Sequence, residues 1–295
     1  MIVYTACPCC NSNNIVKALF AKDHTVTNEI FEIGQCNDCT ARFTQNAPDK
    51  TDIIKYYKSE NYISHSDTKK GFINSIYHQV RKTTLNSKKR LIKKCTKLSN
   101  GKVLDIGAGT GAFLHTMNNA GWGITGLEPD ESAREKGKKL YGLNLQPSVE
   151  LFNLSPQTFD AITLWHVLEH VHELHEYIVQ LKKLLKPNGY LFIAVPNYTS
   201  YDAGVYKEFW AGYDVPRHLY HFSPHSIIQL LLLHGLKIKE IKPMWYDSFY
   251  VSLLSEKYRT GNNNFINACV NGFISNWKTL FNKKRCSSLI YVATH

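Results

Sequence analysis

Between Thr68 and Asn100 the chain has no aspartate or glutamate, yet it carries ten lysines and arginines there. That local imbalance nearly equals the formal excess of +11 over all 295 residues. It leaves two readings: a solvated helix face, or a surface drawn to an anionic partner such as a lipid surface, a phosphorylated substrate or nucleic acid. Long apolar runs are also missing. The runs present, such as four leucines at 230–233, fall far short of the ~20 residues that a membrane-crossing helix needs. The opening "MIVYTACPCC" lacks a basic segment followed by an apolar one, so no secretory leader is expected and a cytoplasmic location is. Nothing in the composition is collagen-like or disordered, and a hydrophobic fraction of 43% can fill a substantial core. The length predicts one large domain with one or two small additions.

Four of the eight cysteines form two C-x-x-C pairs, Cys7 with Cys10 and Cys36 with Cys39, separated by 25 residues. Two thiolates at that spacing reach one tetrahedral ion, so two such turns complete a closed four-sulfur zinc site. Between them "IVKALF" and "NEIFEIGQC" read as strands of a small ribbon. Fewer than about 50 residues bury little core, and a metal is the expected staple. A disulfide framework is the alternative, disfavoured by a reducing compartment. Cys9 is a spare thiol that competes with Cys10 as a ligand. Four thiolates leave no open position, so a structural zinc with no catalytic part is the expectation.

The order of motifs predicts three regions: a zinc ribbon over 1–48, a helical basic cap over 49–100, and a larger domain over 101–295. In the cap, Tyr56, Tyr57 and Tyr62 mark an aromatic loop, and the apolar spacing from Phe72 to Leu98 predicts one or two amphipathic helices. In the large domain "GKVLDIGAGTGAFLHTM" reads as a buried strand, a glycine turn and a helix. Gly107, Gly109 and Gly111 permit a tight turn and close backbone approach to a ligand. Glu128, with Pro129 after it, ends the next strand 19 residues beyond Gly109, where a carboxylate can take both hydroxyls of an adenosine ribose. This pattern serves NAD and S-adenosylmethionine alike. Asp105 shifts the balance. A carboxylate two residues before the first glycine suits the ammonium of a methionine moiety and sits badly beside a pyrophosphate.

With "VLDIGAGTG", "GLEPD", "FDAITLWHVLEHV" and "LLKPNGYLFIAVPN" in order over roughly 102–197, the chain resembles the class I S-adenosylmethionine-dependent methyltransferases. The likeness is to the broad bacterial group similar to ubiquinone-biosynthesis methyltransferases. A zinc ribbon ahead of such a domain also resembles some sugar-modifying methyltransferases. The resemblance implies an α/β, Rossmann-like, doubly wound seven-stranded sheet with an antiparallel last hairpin made by "GLKIKEIKPM" and "SSLIYVATH". It places Asp105, Gly107, Gly109 and Gly111 around the methionine end, Glu128 on the ribose, and Trp165 and His166 beside the sulfonium. The loop "LQPSVELFNLSPQ" lacks the aspartate that often receives the adenine amino group, leaving Glu150 or backbone carbonyls to substitute. "HVLEH" matches the H-x-x-E-H pattern of a zinc protease family, but His166 lies at a strand end and not within a helix. His172 and His175 read as solvent-facing or capping.

The stretch "VPRHLYHFSP", Val215–Pro224, carries titratable groups on both sides of a short strand and follows the fifth sheet strand. Ligands of doubly wound sheets bind beyond the carboxyl ends of the strands, so this segment is expected to wall the substrate side. His221 or His218 would then remove a proton from the methyl acceptor. Arg217 would hold an anionic group, and Tyr206, Trp210, Tyr213 and Tyr220 would form an aromatic wall. The alternative is that both histidines are satisfied polar groups bracing the loop.

Within an insertion over about 245–286, apolar residues from 265 to 281 fall on a wide helical stripe with a basic end at Lys278, Lys283, Lys284 and Arg285. The stripe reads either as a helix docked on its own domain or as one lying on an anionic membrane, peripheral at the inner face. The expected reaction is methyl transfer to an oxygen or nitrogen of a small molecule, glycan or lipid-linked intermediate. Its rivals are a nucleic-acid methyltransferase, which "LWHV" disfavours because no Asn/Asp-Pro-Pro-aromatic motif stands there, a non-catalytic adaptor that binds the cofactor, and a dinucleotide oxidoreductase.

Overall fold

The computed structural model describes residues 1–57, 72–262 and 264–295, and of residues 72–78 the backbone alone. Tyr62, Lys69 and Lys70 lie outside the described residues. The chain opens with strands β1 (Ile15–Lys22), β2 (Ile30–Cys36) and β3 (Arg42–Thr44), followed by a 3-10 turn over Asp52–Tyr57 and helix α1 (Phe72–Thr96). Next come β4 (Lys102–Ile106), α2 (Ala112–Asn118), β5 (Gly123–Leu127), α3 (Glu131–Tyr141), β6 (Phe159–Trp165), α4 (Leu174–Leu184) and β7 (Leu185–Pro196). Then follow α5 (Tyr201–Tyr206), β8 (Tyr220–His221), α6 (Pro224–Leu233), β9 (Lys237–Pro243), α7 (Asp247–Thr260), α8 (Phe265–Phe281) and β10 (Ser288–Thr294).

The main sheet runs β5-β4-β6-β7-β10-β9. Strands β4, β5, β6 and β7 are parallel, and β10 is antiparallel to both β7 and β9. The inner strands are continuous apolar runs because helices cover both faces: Val103, Leu104, Ile106, Ala161, Ile162, Leu164, Leu191, Phe192 and Ile193 are all buried. Six strands are formed among the described residues, where seven were expected. The seventh shrinks to a single parallel bridge, Gln146 beside Leu127. Pro147 follows at once, has no N–H to extend the ladder, and turns the chain into a 3-10 segment.

A larger departure concerns the ribbon. Strand β8 pairs with β3, Arg42 opposite His221 and Phe43 opposite Tyr220, to complete a second sheet of order β1-β2-β3-β8. The stretch expected to wall a substrate is thus the fourth strand of the ribbon, and the boundary at residue 48 is no break in hydrogen bonding. Ser223 then caps α6 in a reciprocal pair with Ser226, with Pro224 in the first turn.

Arg217 fastens the two sheets together. Its guanidinium donates to Asp214 through Nε at 3.0 Å and Nη2 at 2.7 Å, to Asp23 Oδ1 at 3.0 Å, and to the Tyr56 carbonyl at 2.9 Å. Thr25 is a further partner. Arg217 and Asp23 are almost fully buried, so each ion depends on the other to offset its lost hydration. Arg217→Met should lower the unfolding free energy by about 3–5 kcal/mol, because two carboxylates are left unpaired in the interior. Urea denaturation measures this. A variant of unchanged stability and altered acceptor KM would instead mark Arg217 as a substrate contact.

Candidate active site

The site forms where β4, β5 and β6 end. Gly107 and Gly111 have φ of 67° and 80°, and a Cβ at either would approach Val167 or Leu143 side-chain atoms to 2.5 Å and 2.7 Å. Only glycine suits both the backbone and the space. Gly109 differs: its φ is 55°, and a Cβ there would meet nothing within 4 Å. The turn therefore has an open side, and the Gly109 N–H donates to Glu128 Oε2 at 2.7 Å. Glu128 Oε1 accepts from the Asp130 N–H at 2.9 Å. Burial raises the pKa of Glu128 against these two bonds.

Asp105 sits near the end of central strand β4 and is 2% exposed. Among the described residues its one side-chain hydrogen bond comes from the Thr163 hydroxyl, at 2.5 Å. Burial pushes its pKa up to about 7, and the Thr163 bond and nearby Lys88 only partly counter this. A buried carboxylate with unused acceptor capacity is built to receive a cation. Trp165, at the end of β6, has a buried indole N–H with no partner among the described residues. Both features fit a bound S-adenosylmethionine: a cation beside Asp105, and a polar ligand edge beside Trp165.

Two residues of this site, Lys88 and Asp247, carried no recognisable signal in the sequence. Lys88 of α1 puts its ammonium 4.1 Å from the centre of the Trp165 ring. Burial lowers its pKa to about 8, with Asp105 and Asp247 pulling the other way. Asp247 opens α7 and pairs with His166 Nε2 at 3.0 Å. Glu169 lies 3.4 Å from His166 Nδ1 on the other side. His166 itself has φ 58°, which turns the chain out of β6. Burial works against its positive charge, but the two carboxylates raise its pKa to about 10. It is an imidazolium at neutral pH. Lys88 was one more lysine in a basic run, and Asp247 one of two acids in an insertion.

The residues expected to contact the acceptor lie a layer back. His218 Nδ1 faces the Gly212 carbonyl at 2.9 Å and must donate to it. The Thr44 hydroxyl donates to the His218 carbonyl at 2.7 Å, so its lone pair accepts from His221 Nε2 at 3.2 Å. His221 Nδ1 is then a bare nitrogen, buried without a hydrogen bond among the described residues. Burial holds its pKa well below the usual imidazole value. Trp210 donates to Asp202, Tyr213 accepts from Arg42, and Tyr220 donates to the His172 carbonyl. All three rings are buried. These residues join the ribbon to the large domain. Their link to the site is Glu169, whose carboxylate lies within 4.8 Å of ring nitrogens of His170 and His218. Glu150, offered as an adenine contact, accepts from Asn153 at 3.1 Å.

At the far end of the ribbon the Sγ atoms of Cys7, Cys10, Cys36 and Cys39 lie within 4.8 Å of one another, the Cys7–Cys39 pair at 3.5 Å. That spacing fits a tetrahedral ion with sulfur ligands at about 2.3 Å. Cys9 is not of this group: it is buried, and its N–H points to Cys7 Sγ. His172 and His175, which looked solvent-facing, meet the carbonyls of Pro48 and Pro8 at 3.1 Å and 3.0 Å, tying α4 and the turn before it to the ribbon.

A parallel sheet with a glycine turn, a buried acid before it and a second acid at the next strand end defines a nucleoside-binding α/β enzyme of the S-adenosylmethionine-dependent methyltransferase class. Residues 77–241, over half the chain, match the family model described as "Methyltransferase domain", and the protein belongs to that family. Among curated relatives, the ubiquinone biosynthesis O-methyltransferase of Rickettsia canadensis is 28% identical over 218 residues, which is 68% of this chain and 88% of that protein. The Vibrio cholerae enzyme of the same name is 35% identical over 129 residues, 41% of this chain and 51% of its own. A solved S-adenosylmethionine-dependent methyltransferase from Archaeoglobus fulgidus is 20% identical with a TM-score of 0.49, covering 76% of this chain and all of that one.

The Asp105 environment sets a pH dependence. In the free protein the carboxylate takes up a proton as pH falls through about 7, and a carboxylate that is to receive the cofactor's ammonium must first lose it. S-adenosylmethionine should therefore bind more weakly below that pH and reach full affinity above it. Calorimetry in buffers of different ionisation enthalpy should detect proton release on binding at pH 6, and Asp105→Asn should abolish both effects.

Proposed function

We propose that the protein methylates a hydroxyl oxygen on a small, lipophilic acceptor. The carrying observation is the amine of Lys88, which lies 4.1 Å from the centre of the Trp165 ring at the ligand end of the sheet and whose basicity burial lowers to a pKa of about 8. Bound S-adenosylmethionine supplies a methyl group on a sulfonium sulfur. Asp105 would hold its ammonium, Glu128 would take the ribose hydroxyls, and Gly107, Gly109 and Gly111 would let the backbone approach. An acceptor oxygen aligned with that methyl carbon would take the methyl group, with sulfur keeping the electron pair of the broken carbon–sulfur bond.

The acceptor proton needs a destination. His166 stays protonated until about pH 10 with its two ring nitrogens turned to Asp247 and Glu169, so it takes no proton. Lys88, lowered to about 8, is neutral in part near that pH and accepts one. This reading moves proton removal from His218 and His221 to Lys88. It also favours a readily ionised hydroxyl, as on a phenol or enol, over an amine. The relatives' names, which refer to ubiquinone biosynthesis, agree with a lipophilic acceptor.

Two measurements test this. With radiolabelled S-adenosylmethionine, label should pass into the organic phase of a lipid extract. Label in sugar nucleotides or nucleic acid would overturn the acceptor class. For turnover, kcat should rise with pH to a plateau above about 8, and Lys88→Met should lower it by roughly 10²–10⁴ and remove that limb. An unchanged pH profile would rule Lys88 out as the base.

The four-cysteine cluster we assign to a structural zinc. Purified protein should carry one zinc per chain. Cys36→Ser with Cys39→Ser should remove it and lower the melting temperature, since β3 and β8 share that sheet. Full metal content in that double variant, read by atomic emission, would contradict the assignment.

A further inference from the structure

Helix α8 is packed with its small face inward. Ala268, Gly272, Ser275 and Thr279 are its buried residues. Gly272 lies against Phe249 of α7, and Ser275 donates to the buried Asp202. The large apolar side chains point outward: Ile266 is 75% exposed, Phe273 65%, Leu280 66% and Phe281 81%, with Phe265, Val270 and Trp277 also exposed. A helix docked only on its own domain buries its large apolar residues and exposes its small polar ones. This one does the reverse, and presents a continuous apolar face of the kind that marks an interaction site.

Charge and position select the occupant. After Glu256 the chain has no acidic residue, and it carries Lys257, Arg259, Lys278, Lys283, Lys284 and Arg285. Lys278, Lys283, Lys284 and Arg285 are exposed at or just past the end of α8, beside Leu280 and Phe281. An apolar stripe flanked by Trp and cations matches the boundary of an anionic bilayer, with acyl chains under the stripe and headgroup phosphates at the basic end. The α7–α8 hairpin leaves the sheet between the end of β9 and the start of β10. Strand β9 runs parallel to β7 because β10 is antiparallel to both, so the hairpin rises from the ligand end of the sheet. Its first residue, Asp247, is bonded to His166 of the active site. No helix among the described residues is long and apolar enough to cross a membrane.

We infer that the outer face of α8 seats the protein on an anionic lipid surface, with the active site beside that surface and open to an acceptor dissolved in it. The access it gives to an acceptor rests on the lipophilic-acceptor reading; the seating does not. The protein should co-sediment with phosphatidylcholine vesicles that contain phosphatidylglycerol, bind weakly to phosphatidylcholine alone, and detach as salt rises. Phe273→Ser with Trp277→Ser, and separately Lys283→Glu with Lys284→Glu, should each weaken vesicle binding about tenfold. S-adenosylmethionine affinity and melting temperature should not change, because none of the four residues packs inside or touches the site.

Absence of vesicle binding, or binding that neither double variant reduces, overturns the inference. So does a dimer in sedimentation velocity that the serine variant dissolves while vesicles are ignored, since the face would then belong to a second copy. Vesicle binding without label transfer to lipid would uphold the seating and reject the lipophilic acceptor. Transfer to lipid in detergent without vesicle binding would do the opposite.

Discussion

The buried guanidinium of Arg217 is the constraint on which the arrangement of the two sheets depends. An arginine taken out of water needs its charge and its donors met. Here they are met from three places: Asp23 after β1, Asp214 in the loop before β8, and the carbonyl of Tyr56 between the ribbon and α1. The satisfied ion fixes Asp214 and the residues after it, so that β8 lies against β3 and the ribbon sheet closes onto the large domain. His218 and His221 then serve as braces between layers, bonded to Gly212 and Thr44.

The ribbon is consequently no separate module tethered by a linker. The thiol cluster holds one end of its sheet, while β8, His172 and His175 hold it to the enzyme domain. A metal at the cysteines would act on the site through this framework: ribbon sheet, β8 segment, Glu169, His166.

The active site combines opposite electrostatic problems within a small volume. Asp105 is buried with too little compensation, so its pKa rises to about 7 and it awaits a cation. His166 is over-compensated by two carboxylates and stays charged to about 10. Lys88 lies between these cases: burial lowers it to about 8 while Asp105 and Asp247 resist. Groups pushed apart in this way take different roles in one reaction. The hairpin that supplies Asp247 also carries the exposed apolar helix, so charge setting and that outer face belong to one insertion.

What could be read from residues alone was whatever depends on local spacing. The glycine turn, Asp105 and Glu128 follow each other along a strand–turn–helix–strand unit, and their relation is set by chain geometry over a few residues. The paired C-x-x-C turns are legible for the same reason, as are the strands on either side of the α7–α8 insertion. Contacts between segments far apart in sequence were decided only by tertiary packing. Lys88 reaches Trp165 because α1 crosses the sheet. Asp247 meets His166 across 81 positions, and "VPRHLYHFSP" joins a ribbon sheet more than 170 residues upstream. Alternation in that stretch signalled polar groups on both faces. Whether those groups faced a substrate or an ion pair turned on Asp23, whose carboxylate is nearly two hundred residues away in the chain. An isolated motif carries no record of the partner that will neutralise its charge.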